Sequence, residues 1–232
     1  SDGVATSKRH QGEIKGKSTG KSGKIPIAPE VRIVRAAMEL AAVQGWRDTT
    51  MADIADEAGL NLADMRHLFG SKTAILSGLS RLADDAVLRG VDGDMAAEPV
   101  RDRLFDVIMR RLDALAPYKE GIAAVARDLA RDPGAVACLA AGPGRRSLRW
   151  MLEAARIQPW SLCAGLQLKG LGLVYLSVLR VWLDDDGDDL AKTMAALDKA
   201  LGQVESLMDF LHRGPRCFRR QNEEAAAETG ET

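Results

Sequence analysis

The sequence has little of several things that mark common protein classes. It carries three cysteines in 232 residues, Cys138, Cys163 and Cys217, and none forms a CxxC pair. That spacing argues against a zinc site, and an odd thiol count without disulfide spacing fits a reducing compartment. The thiols are read as two in a core and one, Cys217, in a tail. Histidines also number three, His10, His67 and His212, and lie far apart. No HExxH, GxSxG, P-loop or GxGxxG pattern stands in a fitting context. The expectation is therefore no enzyme, no cofactor and no metal. No uninterrupted apolar run reaches the roughly 18 residues of a membrane span. The N-terminus lacks an apolar signal core, so the expected setting is cytoplasmic with no membrane partner. β-Branched residues are scattered without a period-2 run, which argues against strands. Net charge is close to zero, 32 Lys and Arg against 33 Asp and Glu, so it favours no partner by itself.

What is present is helical periodicity with clear punctuation. Residues 1–27 are rich in Gly, Ser and Lys; Lys8, Arg9, Lys15, Lys17, Lys21 and Lys24 oppose only Asp2 and Glu13. Such a segment buries too little surface to order itself and reads as a basic arm. The tail 214–232 is likewise expected to be disordered, its acids Glu223, Glu224, Glu228 and Glu231 following several arginines. Between them lies an all-α chain. Pro29 opens a helix with Val31, Val34, Ala37, Met38 and Ala41 on one face, and Gly45 stops it. Thr50 with Asp53 forms a capping box for a second helix that turns Ile54, Ala55 and Ala58 inward. Asn61 caps a third, with Met65, Leu68 and Phe69 inward, and Ser71 caps a fourth running to about Leu88. Two helices over about 100–116 and 120–130 follow, then shorter pieces around Ala135 and Leu148. Pro117, Pro133, Pro143 and Pro159 mark joints.

From about Trp160 to Leu183 the chain is almost continuously apolar, which predicts a helix buried on most sides. The acids of residues 184–189 complement the start of the last helix. In that helix Leu190, Met194, Leu197, Leu201, Val204, Met208 and Leu211 recur at alternating steps of 4 and 3. Leu168, Leu171, Tyr175, Val178 and Trp182 form a second such seam. Two adjacent seamed helices can pack on each other or on another chain's copy, and a homodimer is the expectation. The interface residues are then Leu168, Leu171, Val178, Leu190, Met194, Leu197, Leu201, Val204 and Met208.

The stretch TMADIADEAGLNLADMRHLFGSKTAIL, residues 50–76, resembles the helix-turn-helix of the TetR family of transcriptional regulators. The likeness rests on the helix-opening Thr50, Ile54-Ala55, Ala58-Gly59 at the turn, Phe69, Ser71-Lys72 and the Ala74-Ile75-Leu76 run. Gly45-Trp46 fits as well, and the resemblance spans about residues 30–88. It implies a three-helix head, residues 28–76, on a larger helical ligand-binding and dimerisation domain, residues 77–213. The implied function is a ligand-responsive dimeric repressor. The implied partners are a palindromic double-stranded DNA operator and a small-molecule effector.

Carried onto this sequence, the resemblance has Thr50 and Lys72 touching phosphate. Arg66 stands where the family usually has a backbone-touching Tyr. Asn61, Ala63 and His67 face the groove, and Leu62 meets a thymine methyl. Asp64 departs from the family's neutral residue; it is expected either to complete a cap with Asn61 or to accept from cytosine N4. A body pocket is expected from Phe105, Met109, Trp150, Met151, Tyr175 and Trp182. Residues 28–76 hold five basic groups against seven acids, a head of net −2. Phosphate neutralisation dominates DNA affinity. An alternative rests on a second resemblance: the acidic reading helix, Gly45-Trp46 and Trp182-Leu183-Asp184 are similar to a degenerate TetR-like group, which implies binding of isoprenoid lipids in ubiquinone biosynthesis without DNA binding.

Overall fold

A computed structural model describes residues 28–91, 97–157, 164–187 and 189–213. Its regular elements are helical, in the order expected from the caps and breakers. Helix α1 (Pro29–Gln44) starts on Pro29 and ends at Gly45, whose φ of 90° suits glycine. Helix α2 (Met51–Glu57) opens on the Thr50–Asp53 capping box, with both reciprocal bonds formed. Helix α3 (Leu62–Leu68) starts at Asn61, and α4 (Lys72–Arg89) starts at Ser71, each through a side-chain cap. Gly59, at φ 64°, makes the turn between α2 and α3.

The remaining helices are α5 (Val100–Leu115), α6 (Lys119–Leu129), α7 (Pro133–Leu139), α8 (Arg145–Ala154), α9 (Ala164–Leu183) and α10 (Ala191–Arg213). Pro133 sits in the first turn of α7, as a breaker should. Pro143 does not break the chain. It lies in one wide helical turn, Ala140–Gly144, that carries α7 on into α8. Such a turn opens the carbonyl ladder enough to admit a proline ring. Both tails, residues 92–96, Pro159, Cys163 and Cys217 lie outside the described residues.

One buried cluster joins head and body, from Ile33, Met38, Ile54, Met65 and Phe69 through Ile75 and Ile108 to Trp182 and Leu197. Helix α1 packs along α6, α4 against α5 and α8, and α9 against α10. The head is therefore held twice, through α4 and through α6. Within the body a polar knot crosses the core. Arg111 on α5 bonds Asp84 on α4, reaches Ser80 at 3.1 Å, and donates to the Tyr175 hydroxyl at 3.1 Å. Ser147 on α8 donates to the same Asp84 oxygen at 2.6 Å. Four helices thus converge on one buried ion pair, and the hydrogen bonds from Ser147 and to Ser80 and Tyr175 reduce the penalty of burying its charges.

Three expectations are corrected here. Cys138 is exposed on α7 and is not a core thiol, because α7 lies on the surface of the body. Helix α9 is not buried on most sides: Leu173 is 71% and Leu176 61% exposed. The seams assigned to a dimer interface close largely within the chain. Leu171, Val178, Leu197 and Leu201 are at most 6% exposed, since α9 and α10 pack on each other and on α5. Leu168, Leu190 and Val204 are partly buried against the same core, and Met194 is exposed. The Met208 side chain lies outside the described set.

Candidate nucleic-acid interface

Helix α3 projects from the head on a short turn. Only Met65 on it is fully buried, at 1% exposure, with Leu68 partly packed. One buried thioether side chain, about 1.5–3 kcal/mol of apolar burial, anchors a helix whose other faces stay open. Asn61, Leu62, Ala63, Asp64, Arg66 and His67 are all exposed, and Leu62 stands 56% in solvent. These are the residues expected to face a groove, and the fold places them together on one short helix.

Asp64 does not stand free. Its amide donates to Asn61 Oδ1 at 2.8 Å, and its carboxylate accepts the Asn61 side-chain N–H at 2.7 Å. The two side chains close a reciprocal cap, and the negative charge sits at the positive end of the α3 dipole. Arg66 and His67 occupy the last turn, where positive charge is favoured. Neither has a described partner that would hold it away from a ligand.

Thr50, also exposed, accepts the Asp53 amide on its hydroxyl oxygen at 3.1 Å. In return Asp53 accepts the Thr50 amide at 2.9 Å. That backbone bond, then the bond from the Thr50 hydroxyl side, holds the Asp53 carboxyl below the usual carboxylate range.

Lys72 is placed differently from the expected phosphate contact. Its ammonium donates to the Trp46 carbonyl, to the Thr49 carbonyl at 2.8 Å and to the Arg47 carbonyl at 3.4 Å. It also lies 4.6 Å from the centre of the Trp46 ring. Burial lowers its pKa, and the charges of Asp128 and Asp48 oppose that shift. Three ammonium protons meet three carbonyls, so Lys72 acts as a strut under the turn that presents Thr50. On the body side Asp128 of α6 accepts the Arg47 amide at 2.8 Å. Sequence reasoning missed this tie, because its partners are 81 residues apart and leave no local pattern.

Among the described residues, the six expected for a pocket are spread between core and surface. Met151 and Trp182 are each 1% exposed in the core, Trp150 is 46% exposed on α8, and Tyr175 is engaged with Arg111. Phe105 and Met109 pack partly against the core. Two clefts lie at the junction of head and body, and none of the six lines either.

A short helix on a glycine turn, anchored by one residue and otherwise exposed, defines a helix-turn-helix protein. Residues 33–79 match the family described as bacterial regulatory proteins, tetR family. Solved structures agree in fold. A TetR transcriptional regulator from Nitrosomonas europaea ATCC 19718 superposes with a TM-score of 0.61 at 23% identity, over 75% of this chain and 96% of that one. A TetR transcriptional regulator from Rhodococcus sp. RHA1 superposes at 0.50 and 22% identity, over 76% and 94%. A further transcriptional regulator from Rhodococcus sp. Rha1 does so at 0.50 and 22%, over 77% and 96%. No curated protein sequence matches the chain. Residues 33–79 thus match that family's model, and the chain shares its overall fold with these solved structures.

Proposed function

We propose that the protein is a dimeric, effector-responsive repressor that reads a palindromic operator with α3. The observation that carries this reading is the exposure of α3 on every side but that of Met65 and Leu68. Leu62, Ala63 and His67 supply apolar and hydrogen-bonding contacts to base edges. Asn61 and Asp64 fix the entry of the helix, and Thr50 and Arg66 take phosphates. Lys72 contributes by holding the turn beneath Thr50. The alternative of a lipid-binding relative drew its support from an acid on the reading helix, and that carboxylate is bonded to Asn61.

A two-fold pair is required to place two reading helices about one DNA turn apart, roughly 34 Å. The outward side of α9, with Leu173 and Leu176, together with exposed Met194 on α10, is the surface we assign to it. Apolar exposure of this kind marks an association site. The basic stretch 1–27 adds counterion release to a head that is itself net −2.

Selection from a random duplex library with the full-length protein tests the reading. Enrichment of a palindrome, lost with Arg66→Ala and altered at one base position with His67→Ala, is the expected result. Recovery of unenriched DNA would overturn it.

A further inference from the structure

The junction of head and body carries a cleft that the DNA-reading role leaves unused. It has a volume of about 570 Å³ and lies between the last turn of α1 and the last turns of α6. Ala41, Ala42 and Val43 form one wall, and Ala124 and Ala130 the other. Val43 is 86% exposed on this wall. Arg127 and Arg131 complete the lining together with Asp128. The carboxylate of Asp128 is already spent, one oxygen on the Arg47 amide and the other 3.4 Å from Arg131. Arg127 gives its Nε–H to the Ala123 carbonyl at 3.3 Å. The remaining guanidinium N–H groups have no partner among the described residues. The cleft therefore offers apolar walls and unspent cationic donors, the chemistry that selects a carboxylate attached to a flat apolar body.

Its position gives occupancy a consequence. Helices α1 and α6 run side by side in the same direction, Gly121 against Met38 and Asp128 against Arg47. A Cβ on Gly121 would come 2.4 Å from the Met38 carbonyl oxygen, so this is where the two backbones touch. The cleft lies at the other end of the pair, beside the Asp128–Arg47 tie. A ligand seated there acts as a wedge with the Gly121–Met38 contact as fulcrum. It draws Arg131 from Asp128 and strains the only hydrogen bond described between α6 and the turn ahead of α2. We propose that the α1–α6 cleft binds a small amphipathic carboxylate and that binding levers the head away from α6. The proposal rests on the regulator reading and names the class of effector and where it acts.

Titration calorimetry of the full chain with 2-naphthoate, paired with amide exchange over residues 45–50, tests it. Expected are one site per chain, affinity about tenfold lower for Arg131→Gln and for Val43→Glu, and similarly weaker binding of uncharged 2-naphthylmethanol. Exchange over residues 45–50 should rise when the probe binds. Both substitutions are at exposed positions, so folding is retained. Absence of saturable heat, or affinity unchanged in both variants, would overturn the junction site. DNA selection is done without the probe, so its failure bears on the regulator reading alone.

Discussion

Thr50 and Asn61 each hold a helix start through a partner three residues on, and their contributions can be measured separately. Thr50→Ala should cost about 1 kcal/mol of unfolding free energy, read from urea titration. Asp53 adds a pH signature. Its pKa is lower folded than unfolded, because the Thr50 amide and then the Thr50 hydroxyl favour its charged form. The resulting stability is complete above the ordinary carboxylate value, about 3.9, and is lost as pH falls through the lowered value. Unfolding curves between neutrality and pH 3 should show that loss, and Asp53→Asn should flatten it. In the core, Arg111→Met strands Asp84 and should cost about 3–5 kcal/mol, whereas replacing both with apolar residues should cost less. Caps were legible in the sequence because both partners fall within one turn. Lys72 and Asp128 were not, because their acceptors and donors come from segments 23 to 26 and 81 residues away.

Helix periods predicted the elements well wherever a cap and a breaker bracketed them, as for α1 to α4. They misled where a helix has two apolar sides. The seam of α9 and α10 reads like an interface, yet Val178 and Leu197 are wholly buried within the chain. Periodicity reports which side is apolar and is silent on what covers it. The face left open carries Leu173 and Leu176, and a Leu173→Glu, Leu176→Glu double variant should sediment as a folded monomer while the parent sediments as a dimer. Packing between α4 and the end of the reading unit is equally sharp. A Cβ at Gly78 would stand 2.7 Å from Phe69 Cε1, so Gly78→Ala should destabilise by about 1–3 kcal/mol in thermal or urea unfolding. No sequence period marks that glycine, because its constraint is a ring from outside its own helix.

Across the whole molecule, charge placement matters more than the sum. The head is net −2 by side chains and residues 1–27 are net +4, so attraction to phosphate is assigned mostly to the arm. Deleting residues 1–27 should lower DNA affinity and reduce the dependence of log K on log salt, measured by fluorescence anisotropy across a salt series. The fold class and the head were readable from about 60 residues of pattern. The body's ligand was not, because large apolar residues at helical spacing describe core and pocket alike, and here Met151 and Trp182 are core. The central claim is that α3 enters a major groove as one of a two-fold pair, and hydroxyl-radical footprinting on the selected duplex tests it most directly. The account predicts two protected half-sites one helical turn apart, with protection weakened by Arg66→Ala. A single protected patch, or protection indifferent to every change on α3, would contradict it.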